Sequence, residues 1–135
     1  MKINIGKTEL IHFVGIGGIG MSGLALIMNE LGFKIQGSDL LYNKNIERLK
    51  EKNINIFLNH KSSNIKKCTI LVISSAIKKS NPELKQAIKL KLPIYTRGEM
   101  LGNIVSLNLT NLLNERYEKP GTYSQDGRAI SFGFS

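Results

Sequence analysis

Residues 10–20 read LIHFVGIGGIG, an apolar run that breaks into glycines, and Gly15, Gly17 and Gly20 satisfy the spacing G-x-G-x-x-G with an extra glycine at Gly18. This pattern holds phosphate; it does not make or break bonds. The first glycine allows a sharp turn after a strand, the second lets phosphate approach bare backbone, and the third lets the following helix pack closely on the sheet. A helix starting there offers unpaired N–H groups and the positive end of its dipole, so the expected ligand is anionic, most simply a diphosphate. Asp39 follows at about the 20-residue distance at which a carboxylate meets ribose hydroxyls in such a site. The same aspartate could instead cap the helix after it.

Other candidates for chemistry are few. His60 lies in NHKSSN, residues 59–64, and reads on its own as a solvated loop residue, while His12 alternates into the first strand as a structural side chain. No further His or Cys stands at ligand spacing, so no metal site is expected. Cys68, the single cysteine, reads as a small residue at a strand edge and can form no internal disulfide. Gly6-Lys7-Thr8 imitates the end of a Walker A loop, but the first glycine of G-x-x-x-x-G-K-[ST] would fall on Met1, and a strand follows it.

The elements that must position these residues are read from periodicity. Leu24, Ile27, Met28 and Leu31 recur at helical spacing and the helix ends at Gly32. Residues 33–37 form a second strand, 43–52 a helix with Ile46 and Leu49 inward, and 54–58 a third strand. TILVIS, residues 69–74, is nearly continuous in apolar residues, as befits a strand buried on both faces of a parallel sheet. It ends in Ser74, Ser75 and Ala76, at the carboxyl end of the strand where ligands bind in open α/β sheets. Asn81-Pro82 predicts a helix start with Asn81 as cap, the helix runs to about residue 90 with Leu84, Ala87 and Ile88 inward, and residues 93–96 and 97–107 give a fifth strand and a final helix. Five strand and helix alternations predict an α/β fold, a doubly wound parallel sheet of about five strands.

The chain of 135 residues suits one domain with a true core. It holds no apolar run of membrane-spanning length, and MKINIGKTEL has no apolar signal segment, so a soluble, cytoplasmic protein is expected with no membrane partner. The net charge of +9 is carried by residues 1–107, with 16 Lys and Arg against 7 Asp and Glu, yet the lysines are dispersed and lack interleaved aromatics. No nucleic-acid partner is therefore expected. Lys, Ile and Asn make up 46 of the 135 residues, as an AT-rich coding sequence produces, which accounts for a drifted basic surface.

The segments HFVGIGGIGMSGLA, GSD, His60 with Asn64, VISSAI, NPE and RGEML occur in an order that resembles the N-terminal domain of the UDP-N-acetylmuramate:L-alanine ligases of the Mur ligase family. The resemblance covers residues 12–107 and implies a Rossmann-like fold that docks the UDP moiety of UDP-N-acetylmuramate. Carried over by position, Gly15, Gly17, Gly18, Gly20, Met21 and Ser22 would cradle the diphosphate, and Ser38 and Asp39 would contact the uridine ribose region. His60 would lie near the uracil, which reverses its reading as a bare loop residue, and Ser74, Ser75, Ala76 and Arg97 would line the sugar-phosphate side. Asn59 departs from the family, where glycine is usual.

The resemblance further implies an ATP-dependent amide ligase of peptidoglycan biosynthesis that uses Mg with ATP, but the ATP loop expected soon after RGEML does not follow. Residues 1–107 are therefore read as the UDP-binding domain. Residues 108–135 are read as a tail outside the family, disordered or frameshifted, because Lys, Ile and Asn fall there to 5 of 28 residues against 41 in the preceding 107. The expectation is a truncated chain with no cofactor of its own, no catalytic residue, and no ligase activity alone. The competing readings are an NAD(P)-binding oxidoreductase domain, supported by the glycine loop and Asp39, and a nucleotide-sensing module.

Overall fold

A computed structural model describes residues 8–118, with side chains for residues 8–107. Five strands form one parallel sheet: β1 (Leu10–Val14), β2 (Lys34–Ser38), β3 (Asn55–Phe57), β4 (Ile70–Ile73) and β5 (Ile94–Thr96), in the spatial order β3-β2-β1-β4-β5. Helices α1 (Ile19–Glu30) and α2 (Lys44–Glu51) connect β1 to β2 and β2 to β3, and α3 (Pro82–Lys89) connects β4 to β5. Between β3 and β4 the crossover is a short 3-10 turn, Ser62–Ile65, where the sequence suggested only a loop.

Strand order reverses at β1. The connections leaving β1 and β4 therefore diverge and open a crevice at the carboxyl edge of the sheet, the place where open α/β sheets take their ligands. In-register pairing of Phe13 with Gly37 and Val72, and of Val14 with Ser38 and Ile73, sets which side chains share a face. Val14, Leu71, Ile65, Cys68, Leu84 and Ala87 form the core on the α3 side. Burial pushes the Cys68 thiol up to about 11, in keeping with an inert strand-edge residue.

The sequence reading of two helix faces needs correction. The buried stripe of α1 is Met21, Leu24, Ala25 and Met28, and Ile27 is half exposed. In α3, Leu84 and Ala87 point inward as expected, but Ile88 is 59% exposed and Glu83 takes the buried position instead. Asn81 caps α3 through Oδ1, which accepts from the N–H groups of Glu83 (2.8 Å) and Leu84 (3.2 Å), with Pro82 in the first turn.

The final helix α4 (Arg97–Glu118) does not stop near residue 107 but continues to Glu118. The chain divides into two units at Gly102, Met1–Gly102 and Asn103–Ser135, and the site lies wholly within the first. Of the tail expected at 108–135, residues 108–118 are thus helical, while residues 119–135 lie outside the described residues.

Candidate functional site

The glycine loop closes over the end of β2. Gly15, with φ of +84°, makes the turn that a side chain would strain, and the N–H groups of Gly15 and Ile16 both donate to the Ser38 carbonyl, at 2.8 and 3.0 Å. Asp39 then ties the loop from outside: Oδ2 accepts the Gly17 N–H at 2.8 Å and Oδ1 accepts that of Leu40 at 2.8 Å. Asn43 and Asn45 donate from their side-chain amides to the Gly17 carbonyl, at 3.1 and 2.9 Å. A Cβ on Gly17 would lie 2.7 Å from Asp39 Oδ2 and 3.0 Å from Ile46 Cδ1. Gly17 is therefore glycine because the protein's own carboxylate and α2 press on it, and its N–H is engaged rather than open to phosphate.

What stays open is the start of α1. No side chain caps it, no acid occupies its first turn, and the first amide bonded within the helix is that of Ser22, which donates to the Gly18 carbonyl at 2.8 Å. Among the described residues, the N–H groups of Ile19, Gly20 and Met21 have no partner. Of the expected diphosphate contacts, Met21 thus offers only its amide, since its side chain is buried in the core. Ser22 is buried with its hydroxyl turned back to the Ile19 carbonyl at 3.2 Å, so neither its amide nor its hydroxyl is free for a ligand.

Arg97 crosses this helix start. A Cβ on Gly20 would come within 2.8 Å of Arg97 Cδ and 2.9 Å of its Nε, so glycine here makes room for the arginine. The arginine is placed by a reciprocal cap at the head of α4: Thr96 Oγ1 accepts the Glu99 N–H at 3.2 Å, and Glu99 Oε1 accepts the Thr96 N–H at 2.9 Å. Among the described residues no carboxylate lies within ion-pair distance of the guanidinium. Ser74 completes the wall, its Oγ 3.2 Å from where a Gly15 Cβ would stand, and Ser75 and Ala76 follow it exposed at the carboxyl end of β4.

Beneath the loop lies a buried polar network that the sequence did not reveal as a unit. Its centre is Glu83, fully buried in the first turn of α3. Oε1 accepts from His12 Nε2 at 2.8 Å and from the Ser38 hydroxyl at 2.6 Å; Oε2 accepts from Asn64 Nδ2 at 2.6 Å and the Lys61 N–H at 3.2 Å. Gln36 Nε2 donates to His12 Nδ1 at 2.8 Å and to the Asn64 carbonyl at 2.9 Å. Burial alone would raise the Glu83 carboxyl, but the hydrogen bonds from His12, Ser38 and Asn64 outweigh it and hold the group below the usual carboxylate range. Ser38, expected to meet the ribose directly, is fully buried and spends its hydroxyl on Glu83 while touching His60 Nδ1 at 3.0 Å.

A model of the Mur ligase family, described as its catalytic domain, matches residues 10–108. The chain belongs to the Mur ligase family. Among relatives, this Mur ligase chain is 61% identical over 92% of its length to the UDP-N-acetylmuramate–L-alanine ligase of Pelagibacter ubique, covering 27% of that protein, and 48% identical over 84% of its length to that of Rickettsia typhi, covering 23%. It therefore spans about a quarter of the length of the curated relatives it matches. The Pelagibacter alignment covers 124 residues of the chain, 17 more than residues 1–107 can supply, so similarity reaches into the segment read as foreign to the family. Among solved structures, the UDP-N-acetylmuramate-alanine ligase of Thermotoga maritima superposes with a TM-score of 0.68 at 32% identity, over 71% of this chain and 22% of the other. The UDP-N-acetylmuramate:L-alanyl-gamma-D-glutamyl-meso-diaminopimelate ligase of Neisseria meningitides gives 0.65 at 28%, over 69% and 30%.

Proposed function

We propose that this domain docks the UDP moiety of UDP-N-acetylmuramate, as the N-terminal part of a cytoplasmic UDP-N-acetylmuramate:L-alanine ligase of peptidoglycan biosynthesis. The observation that carries the reading is the pairing of two positive features at one point. Three open amides at the positive end of α1 stand near the guanidinium of Arg97, which has no carboxylate within ion-pair distance among the described residues. Such an arrangement favours an anion, and a diphosphate supplies enough oxygens for the amides and the guanidinium together. The names of the relatives supply the identity of that diphosphate.

The dinucleotide-oxidoreductase reading loses its support at Asp39, whose Oδ2 holds the Gly17 amide and whose Oδ1 holds that of Leu40. In the whole ligase, ATP would activate the muramyl carboxylate and the amine of L-alanine would attack it. Such a ligase would use Mg with ATP, and the part assigned here to residues 10–107 is that of the substrate dock. Arg97→Met tests the reading: loss of a charge-assisted contact worth about 1.5–3 kcal/mol should weaken UDP at least tenfold by calorimetry. Unchanged affinity would place the diphosphate elsewhere.

A further inference from the structure

Charge divides this domain unevenly. Residues 8–51 carry four Lys and Arg against five Asp and Glu, whereas residues 52–97 carry ten against one, and that one, Glu83, is buried. A compositional drift toward lysine acts on both stretches alike, so it does not produce the contrast. The surface contributed by residues 52–97 therefore offers positive side chains and no negative one.

Half of those cations share one face. Ile65 and Cys68 pack with Leu84 and Ala87 in the core, which sets Lys66 and Lys67, both exposed, beside α3. On α3 and just past it Lys85, Lys89 and Lys91 are exposed, and among them Ile88 and Leu90 stand 59% and 49% open to solvent. None of these five lysines forms an ion pair among the described residues. Because α3 leaves the carboxyl end of β4 and β5 runs parallel to β4, Lys89 and Lys91 come at the amino edge of the sheet, away from the crevice.

We propose that this face of α3, with Lys66 and Lys67, is a peripheral docking surface for an anionic lipid bilayer. Ile88 and Leu90 enter the boundary of the acyl layer, and the lysine stems lie along it with their ammonium groups among the headgroups. Each lysine brought to such a surface strengthens binding by roughly fivefold. A nucleic acid backbone would reward the lysines but gain nothing from Ile88 and Leu90, and residues 61–91 contain no aromatic or arginine side chain to stack on a base. The contact lies on the bilayer, since no helix among the described residues is long and apolar enough to cross a membrane. It is independent of the nucleotide reading.

Co-sedimentation of the chain with vesicles tests it, using phosphatidylcholine alone and phosphatidylcholine mixed with phosphatidylglycerol in equal parts, at about 0.1 M salt. The chain should bind the mixed vesicles and not the neutral ones. The triple variant Lys67→Gln, Lys85→Gln, Lys89→Gln should weaken that binding by about a hundredfold. A second triple variant, Lys34→Gln, Lys44→Gln, Lys50→Gln, makes the same change in net charge at exposed positions outside this face and should cost less than about tenfold, because distant charges are screened. Ile88→Ser, at an exposed position, should leave thermal unfolding unchanged and weaken vesicle binding several-fold. Failure to bind the mixed vesicles, or equal loss in the two triple variants, would overturn the proposal. Vesicle binding that survives Ile88→Ser undiminished would also overturn it, in favour of a general polyanion surface.

Discussion

Removing the Glu83 carboxylate should be among the most destabilising single changes the domain can suffer. Glu83→Ala strands four donors at once. The Ser38 hydroxyl can rotate, and the amide of exposed Lys61 can find water, but His12 Nε2–H remains buried without an acceptor, while Asn64 Nδ2 loses Glu83 and keeps the carbonyl and Oδ1 of Asn59 at 3.2 and 3.0 Å. His12 cannot escape by moving its proton to Nδ1, because Gln36 already donates there. One unpaired buried donor at about 1–3 kcal/mol, with the weakened Asn64 amide beside it, gives roughly 1–4 kcal/mol, at or below the about 3–5 kcal/mol lost when one partner of a buried charged pair is removed. Since total stability is about 5–15 kcal/mol and each kcal/mol moves Tm by roughly 4–8 °C in a domain of about 100 residues, urea and thermal unfolding should show a fall of at least about 4 °C. The loss also has a pH signature. Because folding lowers the Glu83 carboxyl below its ordinary 4.5, its stabilisation is complete above that value and disappears as pH falls through the depressed native one. Wild type and Glu83→Ala should therefore converge in stability in acid. A loss under about 1 kcal/mol at neutral pH would refute the reasoning, since it would mean the donors find other partners or water.

Two further changes probe the loop. A Cβ on Gly37 would lie 2.5 Å from Ile16 Cδ1, 2.7 Å from Ile16 Cβ and 2.8 Å from the Phe13 carbonyl, so Gly37→Ala should cost about 1–3 kcal/mol or more in urea unfolding. Trimming the neighbour in Gly37→Ala with Ile16→Ala should recover part of that loss; full additivity would show that Ile16 is not the obstruction. Asp39→Ala removes the acceptor from Gly17 and Leu40, so it should weaken inorganic pyrophosphate and UDP by the same factor in calorimetric titration. Weakening of UDP alone would restore a direct ribose contact.

Much of the fold is legible because its signals are local. The glycine loop, the apolar run at β4 and the Asn81-Pro82 cap each declare themselves within a few residues, and five strands appear where periodicity places them. The faces of α1 and α3 are less legible, because Ile27 and Ile88 are apolar yet half or more exposed while Glu83 is charged yet buried. A signal for the network was nonetheless present: His12 and Gln36 are polar residues at inward positions of buried strands, and such groups require partners. The acidic partner of His12, Glu83, lies 71 residues away and could not be named from spacing. The same holds for Gly20, where an added Cβ would meet Arg97 from the far side of the sheet order, and for Gly17, whose N–H donates to Asp39.

The central claim is that the open amides of α1 and Arg97 hold the diphosphate of a uridine nucleotide. Calorimetric titration of the chain with UDP, NAD and ADP in one buffer tests it most directly, because the diphosphate contribution is shared and only the base and sugar contacts differ. UDP should bind about ten- to hundredfold more tightly than NAD or ADP, since adenine would leave the polar groups around His60 unpaired at about 1–3 kcal/mol. Tighter binding of NAD than of UDP would contradict the account.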